Sequence, residues 1–287
     1  MSIADAIKSI RTERKKQAGH RLFEYVRTHS ESREKYPMKA GDLVRATDLN
    51  YLCPREEILA RKYDVIRVRH LKPDLQITMD LGHMFHSLFR DKYFGPMGEW
   101  AGAWECESCG WDTDQEGFSV PPVHGSLLGK VCRMPKACPK CHRKMVVFKE
   151  WEIKDSKLCL SGHPDGWSIK EPLKRVVIDL KSHTPNGFSS LKSPMEGHDL
   201  QVLAYQHLCG DREGELWYLN KSPWGDPLKF IRDISVRFDV NDFNARIRNP
   251  LEELQNGLSG GKITDRICIS NSCPRAKECQ LVDVCFE

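Results

Sequence analysis

Apolar positions recur with helical spacing most clearly in residues 79–94. The i, i+3, i+4, i+7, i+8 pattern of a single apolar face is met there by Leu81, Met84, Phe85, Leu88 and Phe89. We therefore predict an amphipathic helix over this segment. Similar spacing predicts a helix over residues 197–209, and a further helix is expected over residues 241–258, ended by the glycines of 257–261.

Strand-like patterns begin near residue 150. Residues 175–182 (RVVIDLKS) form a short β-branched run typical of a buried strand, and residues 157–162 alternate between polar and apolar positions. A turn containing Pro172 is expected between these two strands. Two further strands are predicted over residues 215–221 and 233–239.

The other segments complete the predicted organisation. Residues 1–70 look mainly helical and begin with a basic amphipathic helix or pair of helices, including residues 21–28. Residues 95–148 carry Gly, Pro and paired cysteines with little periodicity, which is typical of a small inserted module. The prediction is thus an N-terminal helical region with an early cysteine (1–56), a core (57–94 and 149–260), an insertion (95–148) and a cysteine-rich C-terminal segment (261–287).

Composition narrows the class of protein. With 40% hydrophobic residues among 287, the chain can bury a real core, which excludes wholesale disorder. No run of 18 apolar residues is present, and charges follow the N-terminus too closely for a signal peptide, so we expect a cytoplasmic protein. The net charge of +4 is compatible with nucleic-acid binding but does not by itself indicate it.

An acid and a lysine are paired on one predicted strand. Because side chains alternate along a strand, Asp179 and Lys181 share one face while Ile178 and Leu180 share the other. Asp165 supplies a second carboxylate at the end of the previous strand. Carboxylates on adjacent strands suit Mg²⁺ or Mn²⁺, and a lysine beside such an ion can orient or deprotonate an attacking water. The alternative is a surface hairpin with a salt bridge.

Two helices add polar residues to this pattern. His86 lies one turn after Gly82, and the missing side chain at Gly82 is expected to leave space beside the imidazole. On the helix over 197–209, Gln201 and Tyr205 project together four residues apart. The alternatives are a half-buried histidine without a ligand and an ordinary polar helix edge.

Taken in order, the motifs are G-x3-H, G-x-x-D, V-I-D-L-K and Q-x3-Y. This ordered set resembles the RecB-like branch of the PD-(D/E)XK nuclease superfamily, including the CRISPR-associated RecB-like exonucleases and the nuclease domain of AddB. The resemblance covers residues 57–209 and implies an α/β, restriction-endonuclease-like core with a mixed central sheet flanked by helices.

The resemblance also implies roles for the motif residues. His86, Asp165 and Asp179 would ligate the metal ion, with the backbone carbonyl of Leu180 as a further ligand. Lys181 would be the lysine of the D-x-K motif. Gln201 and Tyr205, which match the Q-x3-Y motif, would stabilise the site and help to position the DNA phosphate.

Late cysteines and one early cysteine suggest a second metal site. In the RecB-like exonucleases an early cysteine in a C-P-R context joins three late ones around a [4Fe–4S] cluster, and Cys53-Pro54-Arg55 matches that context. The resemblance favours Cys53, Cys273, Cys279 and Cys285, with Cys268 in reserve because five residues lie between Cys273 and Cys279 where relatives usually have two. Zinc is the competing ion, since thiolate tetrads suit both.

Two CxxC pairs form a separate set. Each pair supplies two thiolates to a tetrahedral ion, so Cys106, Cys109, Cys138 and Cys141 predict a zinc ribbon. Cys132 or His124 could replace one ligand. The ribbon serves either as a staple of the fold or as a contact for DNA or a partner. Cys159 and Cys209 fit neither set and are expected to pack as small apolar residues.

These expectations combine into one function. The resemblance implies a divalent-metal-dependent DNA exonuclease acting on single strands or DNA ends in recombination, repair or replication, with a helicase, recombinase or single-strand-binding protein as candidate partners. Two alternatives stay open: a catalytically silent nuclease fold that binds DNA or scaffolds a complex, and a zinc-ribbon DNA-binding regulator.

Overall fold

The computed structural model describes residues 24, 32–70, 73–113, 132–144, 146–171, 174–221 and 230–287. The predicted N-terminal helix at 21–28 therefore lies outside the described residues, apart from Glu24. The strands are β1 (Ser32–Lys35), β2 (Val44–Arg45), β3 (Arg67–His70), β4 (Trp100–Cys106), β5 (Cys132–Arg133), β6 (Val146–Lys149), β7 (Ile153–Asp155), β8 (Leu160–Gly162), β9 (Gly166–Glu171), β10 (Lys174–His183), β11 (Glu213–Asn220) and β12 (Ile231–Arg237).

The α-helices are α1 (Pro54–Lys62), α2 (Pro73–Leu88), α3 (Gly95–Met97), α4 (Pro185–Ser190), α5 (His198–Cys209), α6 (Val240–Phe243), α7 (Asn249–Leu258), α8 (Pro274–Glu278) and α9 (Val282–Phe286). A 3₁₀ segment spans Ala46–Tyr51, and π-helical turns extend α2 through Phe89–Phe94 and join α6 to α7 through Asn244–Arg248. Among the helices in the described part of the chain, none combines the length and the apolar character of a membrane-spanning segment.

A mixed sheet forms the centre of the molecule. Its strand order is β12-β11-β10-β9-β4-β5, and β6 also pairs with β4. β10 and β11 are parallel, whereas the other neighbours are antiparallel. A parallel pair requires a crossover connection, and α5 lies within that connection. The expected α/β class with a mixed sheet is therefore confirmed.

Both faces of β10 are covered by apolar side chains. Val177 lies in a cluster with Leu203 and Leu208 of α5, while Ile178 and Leu180 join a second cluster on the opposite face. That second cluster includes Phe89, Phe94, Trp100 and Trp104. Because both faces are buried, the direction of each β10 side chain is set by the alternation of the strand.

Several segments differ from the sequence prediction. Residues 157–162 are the turn and second strand of the β7–β8 hairpin, with Cys159 at a φ of 54°, and β9 was missed altogether. Residues 32–70 contain three strands as well as α1, and the segment predicted as an insertion contributes β4 to the central sheet. Short strands depend on partners distant in sequence, so local patterns identify them poorly.

The helix predicted over 79–94 is present, but it begins earlier and its apolar stripe is not its buried face. Met84 is 68% exposed, and Leu81 and Leu88 are also exposed. Phe89 is buried, in the π-helical turns that follow α2. The helices predicted over 197–209 and 241–258, and the strands over 215–221 and 233–239, are confirmed within a few residues.

Candidate active site and metal centres

One cleft collects the side chains that the motifs singled out. Asp165 comes from the loop between β8 and β9, which is a correction to its expected place at a strand end. Asp179 and Lys181 lie on β10. The cleft has a volume of about 390 Å³ and is also lined by His86 from α2 and by Gln201 and Tyr205 from α5.

Asp165 is held by three donors. Its Oδ2 accepts a 2.8 Å hydrogen bond from the Leu180 amide. Its Oδ1 lies 3.3 Å from His86 Nδ1 and 3.4 Å from Arg90 Nη1. Burial alone would raise the pKa of Asp165, but His86, Arg90 and Lys181 together lower it to about 2. This carboxylate therefore stays ionised at neutral pH.

Asp179 has the opposite electrostatic environment. Its side chain is 1% exposed. Burial raises its pKa to about 6, with the Asp165 carboxylate adding to the shift and Lys181 opposing it. Lys181 Nζ lies 3.1 Å from Oδ1 and 2.9 Å from Oδ2, yet Oδ2 has no hydrogen bond of acceptable geometry. The predicted sharing of one face by Asp179 and Lys181 is confirmed.

A chain of hydrogen bonds fixes the lysine. Lys181 Nζ donates to Gln201 Oε1 at 2.8 Å, and Gln201 Nε2 donates to the Tyr205 hydroxyl at 2.6 Å. Gln201 and Tyr205 are both buried, and burial raises the pKa of Tyr205 well above its usual value, so the phenol stays neutral. The ammonium group is thus held between Asp179 and a neutral amide.

Two glycines bring the elements close together. A Cβ on Gly162 would lie 2.6 Å from the Tyr205 ring, so β8 can approach α5 only because that side chain is missing. A Cβ on Gly82 would lie 3.6 Å from Ser182 Oγ, with no other atom within 4 Å. The open side of Gly82 thus faces β10, and the expected space beside the imidazole stays a prediction.

Arg90 is the main cleft residue that sequence reasoning missed. It is buried, its guanidinium lies 4.4 Å from the centre of the Phe148 ring, and its Nε has no hydrogen-bond partner in the described chain. The sequence feature that could have identified Arg90 is its position one helical turn after His86. The other polar lining residues that the motifs did not include are Arg45, Thr47, His83, Ser87, Glu150 and His163.

The oxygen donors of the cleft suit a hard cation. Two carboxylates from different elements interact, and one buried oxygen lacks a hydrogen bond. The possible ligand atoms of His86, Asp165 and Asp179 do not all lie within 4.8 Å of one another. The two carboxylates are contacted by Arg90, Lys181 and the Leu180 amide. Mg²⁺ and Mn²⁺ take few carboxylates plus waters, so this donor set fits them.

The two CxxC pairs meet at one point. The Sγ atoms of Cys106, Cys109, Cys138 and Cys141 all lie within 4.8 Å of one another, and this group could hold a metal ion. The Cys106–Cys141 and Cys109–Cys138 sulfurs are 3.6 Å apart. Cys132 is not part of the group, and His124 lies outside the described residues. Thiolate tetrads of this spacing match tetrahedral zinc.

The terminal cysteines surround a second cavity. It is lined by Cys53, Cys268, Cys279 and Cys285, but not by Cys273, whose Sγ accepts the Ala276 amide at the start of α8. Among the described residues, no three of these five sulfurs lie within 4.8 Å of one another. The arrangement of these cysteines therefore differs from the compact tetrad of the ribbon.

Arg55 ties this cavity to the fold. Its Nε donates to Cys285 Sγ at 3.3 Å, its Nη1 to the Thr264 carbonyl at 2.9 Å, and its Nη2 to the Cys285 carbonyl at 3.3 Å. Arg275 donates to the Leu52 carbonyl at 2.6 Å. The C-terminal segment is therefore held against the start of α1 by reciprocal arginine contacts.

No family model matches the chain, and no curated protein matches it. Among solved structures, it is similar to SSO0001, with 15% identity, 93% of this chain and 96% of that chain covered, and a TM-score of 0.37. It is also similar to LHK-Exo, an alkaline exonuclease from Laribacter hongkongensis, with 12% identity, 77% and 90% covered, and a TM-score of 0.42. LHK-Exo in complex with dAMP gives 11% identity, 77% and 91% covered, and a TM-score of 0.42.

Proposed function

We propose that this protein is a divalent-metal-dependent DNA exonuclease of the RecB-like branch of the PD-(D/E)XK superfamily, acting on single strands or DNA ends. The observation that carries the proposal is the convergence of Asp165, Asp179 and Lys181 in one cleft from separate elements. A surface hairpin with a salt bridge would leave these groups exposed, whereas Asp179 is 1% exposed.

The metal ion would be held by His86, Asp165 and Asp179, with the Leu180 carbonyl as a further ligand. When bound there, a divalent cation would supply positive charge to stabilise the phosphodiester during hydrolysis. The two unequal carboxylates suit that task, because the low pKa of Asp165 keeps it ionised and cation binding favours ionisation of Asp179.

Lys181 orients the attacking water and stabilises the transition state. Its ammonium is held by Asp179 and Gln201, so it needs little rearrangement before reaction. Tyr205 fixes the Gln201 amide, which in turn leaves the Gln201 carbonyl oxygen free to accept from Lys181. Arg90 neutralises Asp165 and lines the cleft where a phosphate would bind.

The cysteine sites are proposed as structural. Zinc would be held by the ribbon tetrad, and a [4Fe–4S] cluster by the terminal set. For that cluster we place Cys268 in the fourth position beside Cys53, Cys279 and Cys285, instead of the Cys273 that the sequence favoured, because Cys268 lines the cavity. Such an enzyme would serve recombination, repair or replication, in a bacterium or during phage infection. Its partner would be a helicase, a recombinase or a single-strand-binding protein.

The test is nucleotide release from end-labelled single-stranded DNA with Mg²⁺ or Mn²⁺. Wild type should degrade the strand, and Lys181→Met should lower the rate by roughly 10²–10⁴-fold, the range for a positioned acid–base group. Lys157→Met is the matched control, since Lys157 is an exposed lysine on the β7–β8 turn, outside the cleft.

Two results would refute the enzyme proposal. One is wild-type cleavage no faster than that of Lys181→Met. The other is cleavage that continues when the divalent ion is removed. DNA binding without cleavage would establish the silent nuclease fold in place of the enzyme.

A further inference from the structure

Positive charge is concentrated on one half of the ribbon. Residues 133–144, here called the basic knuckle, contain five Lys or Arg residues and no Asp or Glu. This segment alone carries more positive charge than the whole chain, whose net charge is +4. Its cations are Arg133, Lys136, Lys140, Arg143 and Lys144, and His142 lies among them.

These side chains are exposed and unpaired. All six are exposed, and none forms an ion pair with a carboxylate in the described part of the chain. Lys149, just beyond the basic knuckle, behaves differently, because its Nζ pairs with Asp112 at 2.9 Å. A cluster of exposed cations without partners raises the local potential and attracts a polyanion.

Hydrogen bonds hold the backbone of residues 138–143 in a defined turn. The Cys138 amide donates to the Arg143 carbonyl, and the His142 amide donates to the Cys138 carbonyl, each at 2.9 Å. The Cys141 amide donates to Cys138 Sγ at 3.4 Å, and His142 adopts a φ of 59°. A partner that binds here therefore does not have to order the loop, which lowers the entropic cost of binding.

Charge compensation at the thiolate site does not account for the cluster. Four thiolates around a divalent ion carry a net charge of −2, which the five cations exceed. The other knuckle is acidic, but its Asp112 already pairs with Lys149. Its Glu107 helps to raise the pKa of Asp91, after the larger effect of burial.

The basic knuckle is connected to the cleft by one strand. In the chain, β6 (Val146–Lys149) lies between the basic knuckle and Glu150, and Glu150 lines the cleft. Glu150 follows Lys144 by six residues, so at about 3.3 Å per extended residue the chain between them reaches at most roughly 20 Å. A stacked nucleic-acid strand advances about 3.4 Å per nucleotide, so this distance corresponds to about six nucleotides. Arg90 packs on Phe148 of β6 and so couples the strand to the cleft.

We propose that the basic knuckle binds the phosphate backbone of the DNA strand about six nucleotides from the cleft, and so tethers the substrate during cleavage. This deepens the function proposed above and rests on it for the identity of the polyanion. Phosphate contacts carry no base preference, so the tether is independent of sequence.

The test compares two triple variants with the same loss of charge. One combines Lys140→Gln, Arg143→Gln and Lys144→Gln, and the control changes three exposed lysines elsewhere to Gln, at Lys157, Lys192 and Lys262. Binding of a labelled 20-nucleotide single strand is measured by fluorescence anisotropy at several salt concentrations, without added divalent metal so that the strand stays intact.

The knuckle variant should weaken binding roughly ten- to hundred-fold near 0.1 M salt and reduce the salt slope by about 2, because each lost phosphate contact removes about 0.7. The control should keep the wild-type affinity and slope. Equal zinc content and equal melting temperature in all three proteins show that the ribbon is folded. Wild-type affinity and slope in the knuckle variant would overturn the tether.

A second measurement separates this proposal from the nuclease proposal. On a four-nucleotide substrate, too short to reach the basic knuckle, the knuckle variant should cleave at the wild-type rate, while on the 20-nucleotide strand it should be slower. A loss of cleavage on both substrates alike would contradict the tether. If wild type binds DNA through the basic knuckle but cleaves neither substrate, the tether stands and the enzyme proposal fails.

Discussion

Replacing Asp179 with Asn should make the protein more stable while removing its activity. The carboxyl group is 1% exposed, and burial raises its pKa from the usual 3.8 to about 6. At neutral pH the fold therefore keeps a charge where a neutral group is favoured. Asn has the same shape and can still accept a hydrogen bond from Lys181, but it carries no charge to desolvate.

The size and sign of the effect follow from the shift in pKa. The folded state binds the proton more tightly than the unfolded chain, so ionisation of Asp179 costs stability as the pH rises between about 4 and 6. At 1.36 kcal/mol per pKa unit, a rise from 3.8 to about 6 corresponds to about 3 kcal/mol above pH 7. At pH 5 the cost is about half as large. Asp179→Asn should gain that amount relative to wild type.

Asp165→Asn is the matched control, with the opposite sign. Its folded pKa of about 2 lies below the usual 3.8, so the ionised carboxylate stabilises the fold above pH 4, and that contribution is lost as the pH falls through 2. Its removal should cost up to about 2 kcal/mol. Arg90 and His86 then lose their counter-charge.

Urea unfolding at pH 5 and pH 8, without divalent ions, measures both variants. Divalent ions must be absent because a bound cation would stabilise the ionised Asp179. Asp179→Asn should be more stable than wild type at both pH values, with the larger gain at pH 8. An Asp179→Asn protein that is less stable than wild type at pH 8, or a gain that does not grow with pH, would refute the assignment of Asp179 as a destabilising buried charge.

Three further predictions concern a close packing contact, a buried ion pair and the second metal site. Gly162→Val should destabilise the fold by about 1–3 kcal/mol in urea unfolding and also slow cleavage, because its side chain displaces Tyr205; unchanged stability would contradict the close approach of β8 to α5. Arg175→Met should cost about 3–5 kcal/mol, since it leaves the buried Asp211 without the guanidinium that pairs with it at 2.7 Å; the double change with Asp211→Leu should recover much of that loss in a thermal melt. In protein purified without oxygen, Cys268→Ser should lower the bound iron while Cys273→Ser should not; the reverse pattern would restore Cys273 as the ligand.

The candidate site was more predictable than the fold around it. Strand alternation was sufficient to place Asp179 and Lys181 on one face, and a spacing of four on a helix was sufficient to pair Gln201 with Tyr205. Both inferences use a period within one element, which backbone geometry sets. The strand β9 and the β7–β8 hairpin were not predicted, because their stability depends on pairing with distant strands.

The apolar face of α2 shows how tertiary packing can override a local pattern. Its periodicity is helical and the helix forms, yet Met84 is 68% exposed and the burial falls on Phe89, beyond the helix, in the π-helical turns. The pattern determines that a helix is favourable, but the face that meets the core depends on how the chain enters the sheet. Arg90 was missed for the same reason, since its place beside Asp165 follows from that packing.

The sequence by itself determined the local chemistry: an acid and a lysine on one strand face, a glutamine and a tyrosine on one helix face, and two CxxC pairs at ribbon spacing. Only the tertiary structure decided which distant groups meet. It set the pairing of Asp165 with His86 and Arg90, the place of Cys268 in the terminal cavity, and the packing of Arg90 on Phe148 of β6. The physical reason is that backbone periodicity is a local property, whereas distances between elements are set by strand pairing and side-chain packing across the whole core.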